Sequence, residues 1–308
     1  MKNLWTETYR PSTVSDYVFR DTAQRQQVEA WISAGIIPHL LFSGAPGVGK
    51  TTLAKILLHE LDVNEYDILE INASRENSVD VIRDKITGFV QTMPFGSFKV
   101  VLLDEADYIT PNGQAALRGV METYHESARF ILTCNYPNRV IPALHSRCQG
   151  FHMETIDKTE FTARACEILI QENITPDIEI LDTYVKASYP DMRKCINMLQ
   201  QNCRDGKLMP PASGDSGQQD YRLQMVDLFK QGKIQEARKL VCAQARPEEC
   251  EEIYRWLYDN LEIISKDEDA QDKAVLIIKQ GLVDHSFVAD PEINLASVMI
   301  KLARLSNG

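Results

Sequence analysis

A glycine-rich stretch with the chemistry of a phosphate site follows a short apolar run early in the chain. Residues 44–51 read GAPGVGKT and fit the pattern G-x-x-x-x-G-K-[ST], and a helical pattern continues from Thr52. In a strand, loop and helix of this kind, backbone N–H groups and the helix N-terminus surround phosphate oxygens. Lys50 would reach the β- and γ-phosphates, and the Thr51 hydroxyl would hold Mg2+. The stretch predicts a nucleoside triphosphate site, with a chance glycine-rich turn as the alternative. The residues expected to line the site are Gly44, Pro46, Gly47, Val48, Gly49, Lys50, Thr51 and Thr52.

Two adjacent carboxylates, Asp104 and Glu105, follow a second apolar run at residues 100–103. Neighbouring side chains of a strand point in opposite directions, but a turn at the carboxyl end lets both face the phosphates. Asp104 would then hold Mg2+, and Glu105 would orient and deprotonate the attacking water. Taken alone, this run could be a strand followed by a solvated turn. Together with the phosphate loop, it predicts hydrolysis of the bound nucleotide.

The elements that must position these residues form a regular alternation. Short apolar runs at residues 40–42, 68–71, 100–103, 130–133 and 151–153 are separated by helical patterns. Such an alternation predicts the α/β class, with a parallel sheet covered by helices on both faces. Ahead of it, a helix capped near Asp21 should end near Gly35.

The chain of 308 residues has room for more than one domain. Residues 1–155 contain the alternation, whereas residues 156–206 show helical spacing only and predict a small helical domain. Residues 207–220 hold two prolines, two glycines and two serines, which is typical of a linker. Residues 221–308 again show helical spacing and predict an all-helical domain.

Charge and cysteine content narrow the class of protein. The net charge of −11 disfavours a chain that coats itself in nucleic acid, although arginines in the nucleotide-binding part leave a basic face open. The seven cysteines form no C-x-x-C pair, so they signal neither a zinc site nor a disulfide framework. The chain starts without an apolar leader and has no run near the about 18 apolar residues that span a bilayer. We expect an intracellular protein with no membrane partner.

Further motifs resemble those of the AAA+ ATPases and, within that family, of the sliding-clamp loaders. They cover nearly the whole chain and are similar to replication factor C small subunits and to the large loader subunit of T-even-type bacteriophages, the branch that we prefer. The motifs are Tyr9-Arg10-Pro11, Asp104-Glu105-Ala106-Asp107, Gln114-Ala115-Ala116-Leu117-Arg118 with Met121-Glu122, Thr133-Cys134-Asn135 and Ser146-Arg147-Cys148.

The resemblance implies a role for each matching residue. Asn135 would bind the γ-phosphate or the lytic water, and Arg147 would act as an arginine finger on the nucleotide of a neighbouring subunit. Arg193 would bind the γ-phosphate from the helical domain at residues 156–206, which acts as a lid. For both arginines an ordinary surface salt bridge is the alternative. The residues expected near the adenine are Tyr9, Arg10 and Pro11.

The resemblance also implies contacts with DNA and with a clamp. Asn72 would restrain Glu105 until DNA arrives, and the helix at residues 111–124 would contact the clamp. Each basic candidate could equally be a solvated or intersubunit charge. The residues expected to meet DNA phosphates, directly or through a neighbouring helix N-terminus, are Asn72, Ser74, Arg75, Arg83, Lys85 and Arg118.

A clamp-loader subunit is therefore the expected function, with ATP and Mg2+ as cofactors. Its implied partners are a homotetramer of like subunits, one different loader subunit, a ring-shaped sliding clamp and primer-template DNA. The helices at residues 221–308 would form a collar between subunits. The implied compartment is the host bacterial cytoplasm for a phage protein and the nucleus for a eukaryotic homologue.

Two other functions remain open from the sequence. A DNA-translocating motor resembling the Holliday-junction branch-migration ATPase would need a winged-helix domain with basic strands, whereas residues 221–305 read as acidic helices. A scaffold that binds nucleotide without hydrolysing it is disfavoured by the intact hydrolytic set, which consists of Lys50, Asp104, Glu105, Asn135 and Arg147.

Overall fold

The computed structural model describes residues 4–76, 78–153, 156–210, 221–246, 249–285 and 287–306. The chain divides into two compact units, one of Met1–Ile168 with Ser188–Gln200 and the other of Leu169–Ala187 with Gln201–Gly308. Most of the predicted linker, residues 211–220, lies outside the described residues. The division into four segments made from the sequence stays a prediction.

The first unit contains a five-stranded parallel sheet, which confirms the predicted α/β class. Its central strands are buried on both faces, which is why they read as continuous apolar runs. The last strand occupies residues 149–152 instead of the predicted 151–153. The strands are β1 (Leu40–Ser43), β2 (Ile68–Asn72), β3 (Lys99–Asp104), β4 (Ala128–Cys134) and β5 (Gln149–His152).

The order of the strands, β2-β3-β4-β1-β5, determines which residues meet. Strand β4 lies between β1 and β3, and Ser43 at the end of β1 pairs with Cys134 at the end of β4. Asp104 ends β3 beside them and pairs with Asn72 at the end of β2. Because the strands are parallel, the residues that follow β1, β3 and β4 emerge at the same edge of the sheet.

Helices flank this sheet and lead away from it. The predicted helix near the start begins after Asp21, whose Oδ1 accepts a hydrogen bond of 2.8 Å from the backbone N–H of Gln24, and ends at Gly35 in the left-handed conformation. Short 3-10 helices lie at Glu65–Asp67, Ala106–Tyr108 and Pro137–Arg139. The α-helices up to residue 202 are α1 (Trp5–Thr8), α2 (Thr22–Ala34), α3 (Lys50–Glu60), α4 (Val79–Val90), α5 (Pro111–Thr123), α6 (Pro142–His145), α7 (Lys158–Gln171), α8 (Ile178–Ser188) and α9 (Met192–Asn202).

A buried glutamine fixes the segment that follows β4. Gln114 on α5 donates to the carbonyls of Ile109 and Arg139 at 2.9 and 3.0 Å, and it accepts from the N–H of Ile141 at 2.7 Å. Gln114 is only 1 % exposed, so these bonds satisfy polar groups that water does not reach. The stretch that connects β4 to Arg147 is thereby held on α5.

The second unit is mostly helical in the residues that the structure describes. A pair of two-residue antiparallel strands, β6 (Cys203–Arg204) and β7 (Lys207–Leu208), was not predicted. Strand β6 lies at the end of the predicted helical domain, and β7 lies at the beginning of the predicted linker. No described helix of the chain is long and apolar enough to cross a membrane. The helices that follow are α10 (Tyr221–Lys230), α11 (Ile234–Gln244), α12 (Cys250–Asp259), α13 (Leu261–Ile264), α14 (Glu268–His285) and α15 (Pro291–Ser306).

Candidate active site

The glycine-rich loop lies between β1 and α3, as predicted. Gly47 and Gly49 have φ angles of 76° and 91°, a left-handed region that side-chain-bearing residues rarely adopt. The buried hydroxyl of Tyr17 donates a hydrogen bond of 3.1 Å to the carbonyl of Val48. A Cβ atom at Gly49 would come within 3.0 Å of the Tyr17 ring, so the loop rests directly on this aromatic side chain.

Lys50 is a buried cation inside the loop. Its Nζ donates to the carbonyls of Gly44 and Ala45 at 2.8 and 2.7 Å and to Oδ1 of Asn135 at 2.8 Å. Burial lowers the pKa of Lys50 to about 8, although the nearby Asp104 carboxylate acts in the opposite direction. The ammonium group therefore lies beside the oxygens of Gly44, Ala45 and Asn135, which phosphate oxygens can replace as partners.

Asp104 links the loop helix to the sheet. Its Oδ1 accepts hydrogen bonds from the Thr51 hydroxyl at 2.7 Å and from the Thr133 hydroxyl at 2.5 Å. A carboxylate beside a hydroxyl, open to phosphate oxygens and water, is a donor set that suits Mg2+. The two predicted metal ligands thus lie together, and the set fits the ion.

Glu105 has a left-handed backbone, with φ 57° and ψ 44°. This conformation is costly for a residue with a side chain and is found most often at functional sites. The backbone N–H of Glu105 donates to the Thr133 hydroxyl at 3.1 Å. The turn brings the side chains of Asp104 and Glu105 into one cleft, as the strand-end argument predicted.

This cleft, which we call the phosphate cleft, gathers the predicted chemical groups of the nucleotide site. A second cleft, which we call the base cleft, shares four wall residues with the phosphate cleft, namely Gly47, Gly49, Thr52 and Arg193. The other walls of the base cleft include Tyr9, Arg10, Pro11, Tyr17, Val18, Ile156, Arg164, Met192 and Ile196. The three predicted adenine neighbours therefore lie in one cleft that continues into the phosphate cleft. The residues lining the phosphate cleft are Pro46, Gly47, Gly49, Lys50, Thr51, Thr52, Asp104, Glu105, Thr133, Cys134, Asn135 and Arg193.

Arg147 is not among the described residues that line either cleft. It follows α6, and its guanidinium forms an ion pair with Glu122 on α5 and donates to the carbonyl of Ala143 at 3.1 Å. Arg118 shares the same carboxylate at 3.2 Å. Arg147 thus lies outside the described clefts of its own chain, and its action on a neighbouring subunit stays a prediction.

The candidate DNA residues lie on adjoining elements. Helix α4, with Arg83 and Lys85, packs against α5, which carries Arg118. Lys85 pairs with Glu76. Oδ1 of Asn72 accepts from the N–H and the hydroxyl of Ser74 at 3.0 and 2.6 Å. The restraint of Glu105 by Asn72 stays a prediction. The exposed candidates are Ser74, Arg75, Arg83, Lys85 and Arg118.

Two residues at this site had no role assigned from the sequence. Thr133 joins Asp104 to Glu105, and a signal for it was available, since alternate strand residues share a face and Thr133 is two residues before Asn135. Tyr17 gave no such signal, because it lies in an irregular segment far from the loop in sequence.

The fold and the site define a P-loop ATPase. The model of the ATPase family associated with various cellular activities (AAA) matches residues 40–154. The replication factor C small subunit of Sulfurisphaera tokodaii is 38% identical over 97% of this chain and 95% of its own length. That of Saccharolobus solfataricus is 35% identical over 99% and 95%. The chain therefore belongs to the replication factor C small-subunit family of AAA+ ATPases, and it is an ATPase.

The likeness to solved structures concerns the fold. The RuvB Holliday junction branch migration motor of Thermotoga maritima superposes with a TM-score of 0.53 at 17% identity, covering 63% of this chain and 66% of that one. At this identity the match shows a shared AAA+ architecture and nothing about activity.

The lowered pKa of Lys50 predicts that ATP binding takes up protons in alkaline solution. Phosphate charges favour the ammonium form, so a lysine that is partly neutral in the free chain becomes fully charged in the complex. Proton uptake should rise as the pH increases from about 7 to about 9, through the free-chain pKa. Calorimetry of ATP binding in buffers of different ionisation enthalpy measures it.

Lys55 provides the control, since it lies on the same helix and forms an exposed pair with Glu70 at 2.9 Å. Lys55→Ala should leave the uptake unchanged. A proton count that does not change with pH would contradict the buried state of Lys50.

Proposed function

We propose that this chain is an ATP-driven clamp-loader subunit. In a pentameric assembly it would open a ring-shaped sliding clamp, place it on primer-template DNA and release it when ATP is hydrolysed. Membership in the replication factor C small-subunit family supports the proposal. The observation that supports it most directly is the position of Arg147, whose guanidinium lies outside the described nucleotide clefts of its own chain.

In the proposed reaction, water attacks the γ-phosphorus of ATP and ADP leaves. Glu105 orients the water and accepts its proton, while Asn135 holds the water or a γ-phosphate oxygen. Lys50 and Arg193, the two cations of the described phosphate cleft, stabilise the negative charge of the transferring group. Thr51 and Asp104 would hold Mg2+, which would neutralise further negative charge at the phosphates.

The proposal places the last catalytic cation on the next subunit. Arg147 pairs with Glu122 in the single chain, and on assembly the γ-phosphate of a neighbour would replace that carboxylate. An exposed or half-exposed ion pair contributes little stability, so the exchange costs little compared with the interaction that it creates. Hydrolysis would therefore depend on assembly.

The proposed DNA surface is formed by α4, the segment after β2 and the exposed end of Arg118. Contacts to phosphates from these elements carry no sequence information, which suits a protein that must act at any primer-template junction. The clamp would contact the helix at residues 111–124, which includes α5.

The composition of the assembly is part of the proposal. A homotetramer with one different loader subunit follows from the bacteriophage-type branch, which remains a prediction because the relatives reported above are archaeal. An archaeal or eukaryotic small subunit is the alternative branch. The branch-migration motor gains no support, because the described parts of residues 221–306 contain helices and no winged-helix strands.

The proposed function is tested by the ATPase activity of the assembly with clamp and primed DNA together. A loader predicts stimulation by the pair that exceeds the sum of the effects of clamp alone and DNA alone. Stimulation by DNA alone would indicate a translocating motor, and no stimulation would indicate a scaffold.

Substitution of the proposed finger should separate binding from turnover. Arg147→Ala should leave ATP affinity unchanged, because Arg147 lies outside the described clefts of its own chain. The ATPase rate of the assembly should fall by about 10³ to 10⁵, the usual effect of removing an arginine finger. Arg25→Ala, at an exposed pair on α2, is the matched control and should retain the wild-type rate. Equal turnover by the Arg147→Ala and wild-type assemblies would rule out the finger.

Removal of one DNA contact should change the salt dependence of binding. Arg83 is exposed on α4, and Arg83→Ala should lower the slope of log affinity against log salt concentration by about one if Arg83 meets a phosphate. The affinity of the assembly for junction DNA is measured over a series of salt concentrations, again with Arg25→Ala as the control. An unchanged slope would remove Arg83 from the DNA surface.

A further inference from the structure

The carboxylate of Asp191 lies directly against the phosphate loop. Asp191 immediately precedes α9, and a Cβ atom added to Gly47 would collide with its carboxylate oxygens. Gly47 has a left-handed φ and borders both clefts. The loop and the start of α9 therefore approach each other at this point as closely as a glycine allows.

The same carboxylate caps α9. Its Oδ1 accepts a hydrogen bond of 2.8 Å from the N–H of Lys194, and the Asp191 carbonyl accepts from the N–H of Cys195 at 3.0 Å. The N–H of Asp191 donates to the carbonyl of Ser188 at 2.8 Å. One side chain thus fixes the first turn of the helix and also meets the loop.

The second residue of α9, Arg193, depends on the position of this cap. Arg193 lines the phosphate cleft, and it lies close enough to Lys50 for its charge to add to the effect of burial in lowering the pKa of that lysine. Since Arg193 is two residues from the cap, any shift of the cap relative to Gly47 moves the guanidinium relative to the phosphates.

We propose that Asp191 is a positioning residue, which sets the distance between Arg193 and the γ-phosphate by capping α9 and packing on Gly47. The inference rests on the proposed role of Arg193. Position 47 must then be a glycine for a second reason besides phosphate binding, because only a residue without a side chain leaves room for the Asp191 carboxylate.

The enclosure of the carboxylate agrees with this role. Burial raises the pKa of Asp191, although the N–H of Lys194 and the charge of Arg193 act in the opposite direction. An exposed helix cap would not carry such a desolvation cost. The side chain is held between helix and loop, where a displacement is transmitted to both.

The test compares the affinities of the full-length chain for ATP and ADP, measured by displacement of a fluorescent nucleotide. Asp191→Ala should weaken ATP binding about tenfold or more, the scale of one hydrogen bond to a charged group, and change ADP binding by less than about twofold. The double variant Asp191→Ala/Arg193→Ala should bind ATP as weakly as Arg193→Ala alone, because both changes remove the same contact. The inference would be overturned if Asp191→Ala weakened ATP and ADP binding equally, or if the losses of ATP affinity in the two single variants added up in the double variant.

Asp191→Ser separates the cap from the contact with Gly47. Serine caps helices well but lacks the carboxylate oxygens, one of which is the atom nearest to Gly47, so this variant should fold like wild type and still lose preference for ATP. Wild-type preference in Asp191→Ser would contradict the proposal even if Asp191→Ala fails to fold. Asp191→Asn keeps both the oxygen and the volume and should restore ATP binding.

Asp177 provides a matched control. Its Oδ1 caps α8 through the N–H groups of Glu179 and Ile180 at 3.0 and 3.3 Å. Asp177→Ala removes a comparable cap and should leave the ratio of ATP to ADP affinity unchanged. If Arg193→Ala weakens ATP binding and Asp191→Ala does not, this inference alone is overturned. If ATP affinity is unchanged in both variants, the role of Arg193 is overturned as well.

Discussion

The buried ammonium group of Lys50 is the constraint on which the arrangement of the nucleotide site depends. A buried cation without partners costs several kcal/mol, so the chain must surround it with oxygen atoms. Gly44 and Ala45 supply two from the loop after β1, and Asn135 supplies one from the end of β4. These bonds hold the loop and the neighbouring strand end together before any nucleotide arrives. The site is therefore close to the shape that phosphates require, and binding exchanges one set of oxygens for another.

The carboxylate of Asp104 connects this arrangement to β3. Asp104 accepts from Thr51 on the loop helix and from Thr133 on β4, and Thr133 in turn accepts from the backbone of Glu105. These contacts join α3, β4 and the end of β3, and they hold Glu105 in a conformation that it would not adopt freely. Each chain thus positions its own predicted metal ligands and its own predicted base. Arg147 lies apart from this arrangement, because its ion pair with Glu122 holds it on α5.

The sequence predicted the features that local patterns encode and missed those that depend on packing. The phosphate loop, the buried strands and the Asp104–Glu105 turn all follow from residue spacing, because strand ends of a parallel sheet converge. Tyr17 under the loop and Asp191 against Gly47 could not be predicted, since their partners are distant in sequence and no pattern links them. The hairpin of β6 and β7 was missed because two-residue strands carry too little periodicity to detect. The roles of Asn135, Arg147 and Arg193 came from family resemblance and remain to be tested.

The central claim is that two adjacent subunits complete each catalytic site. It is tested most directly by mixing Arg147→Ala subunits with Glu105→Gln subunits and measuring the ATPase activity of the reassembled complexes. Each variant alone should be inactive. In the mixture, some sites pair an intact Glu105 with the intact Arg147 of a neighbour, so the account predicts that activity returns. A mixture as inactive as either variant alone would contradict the account.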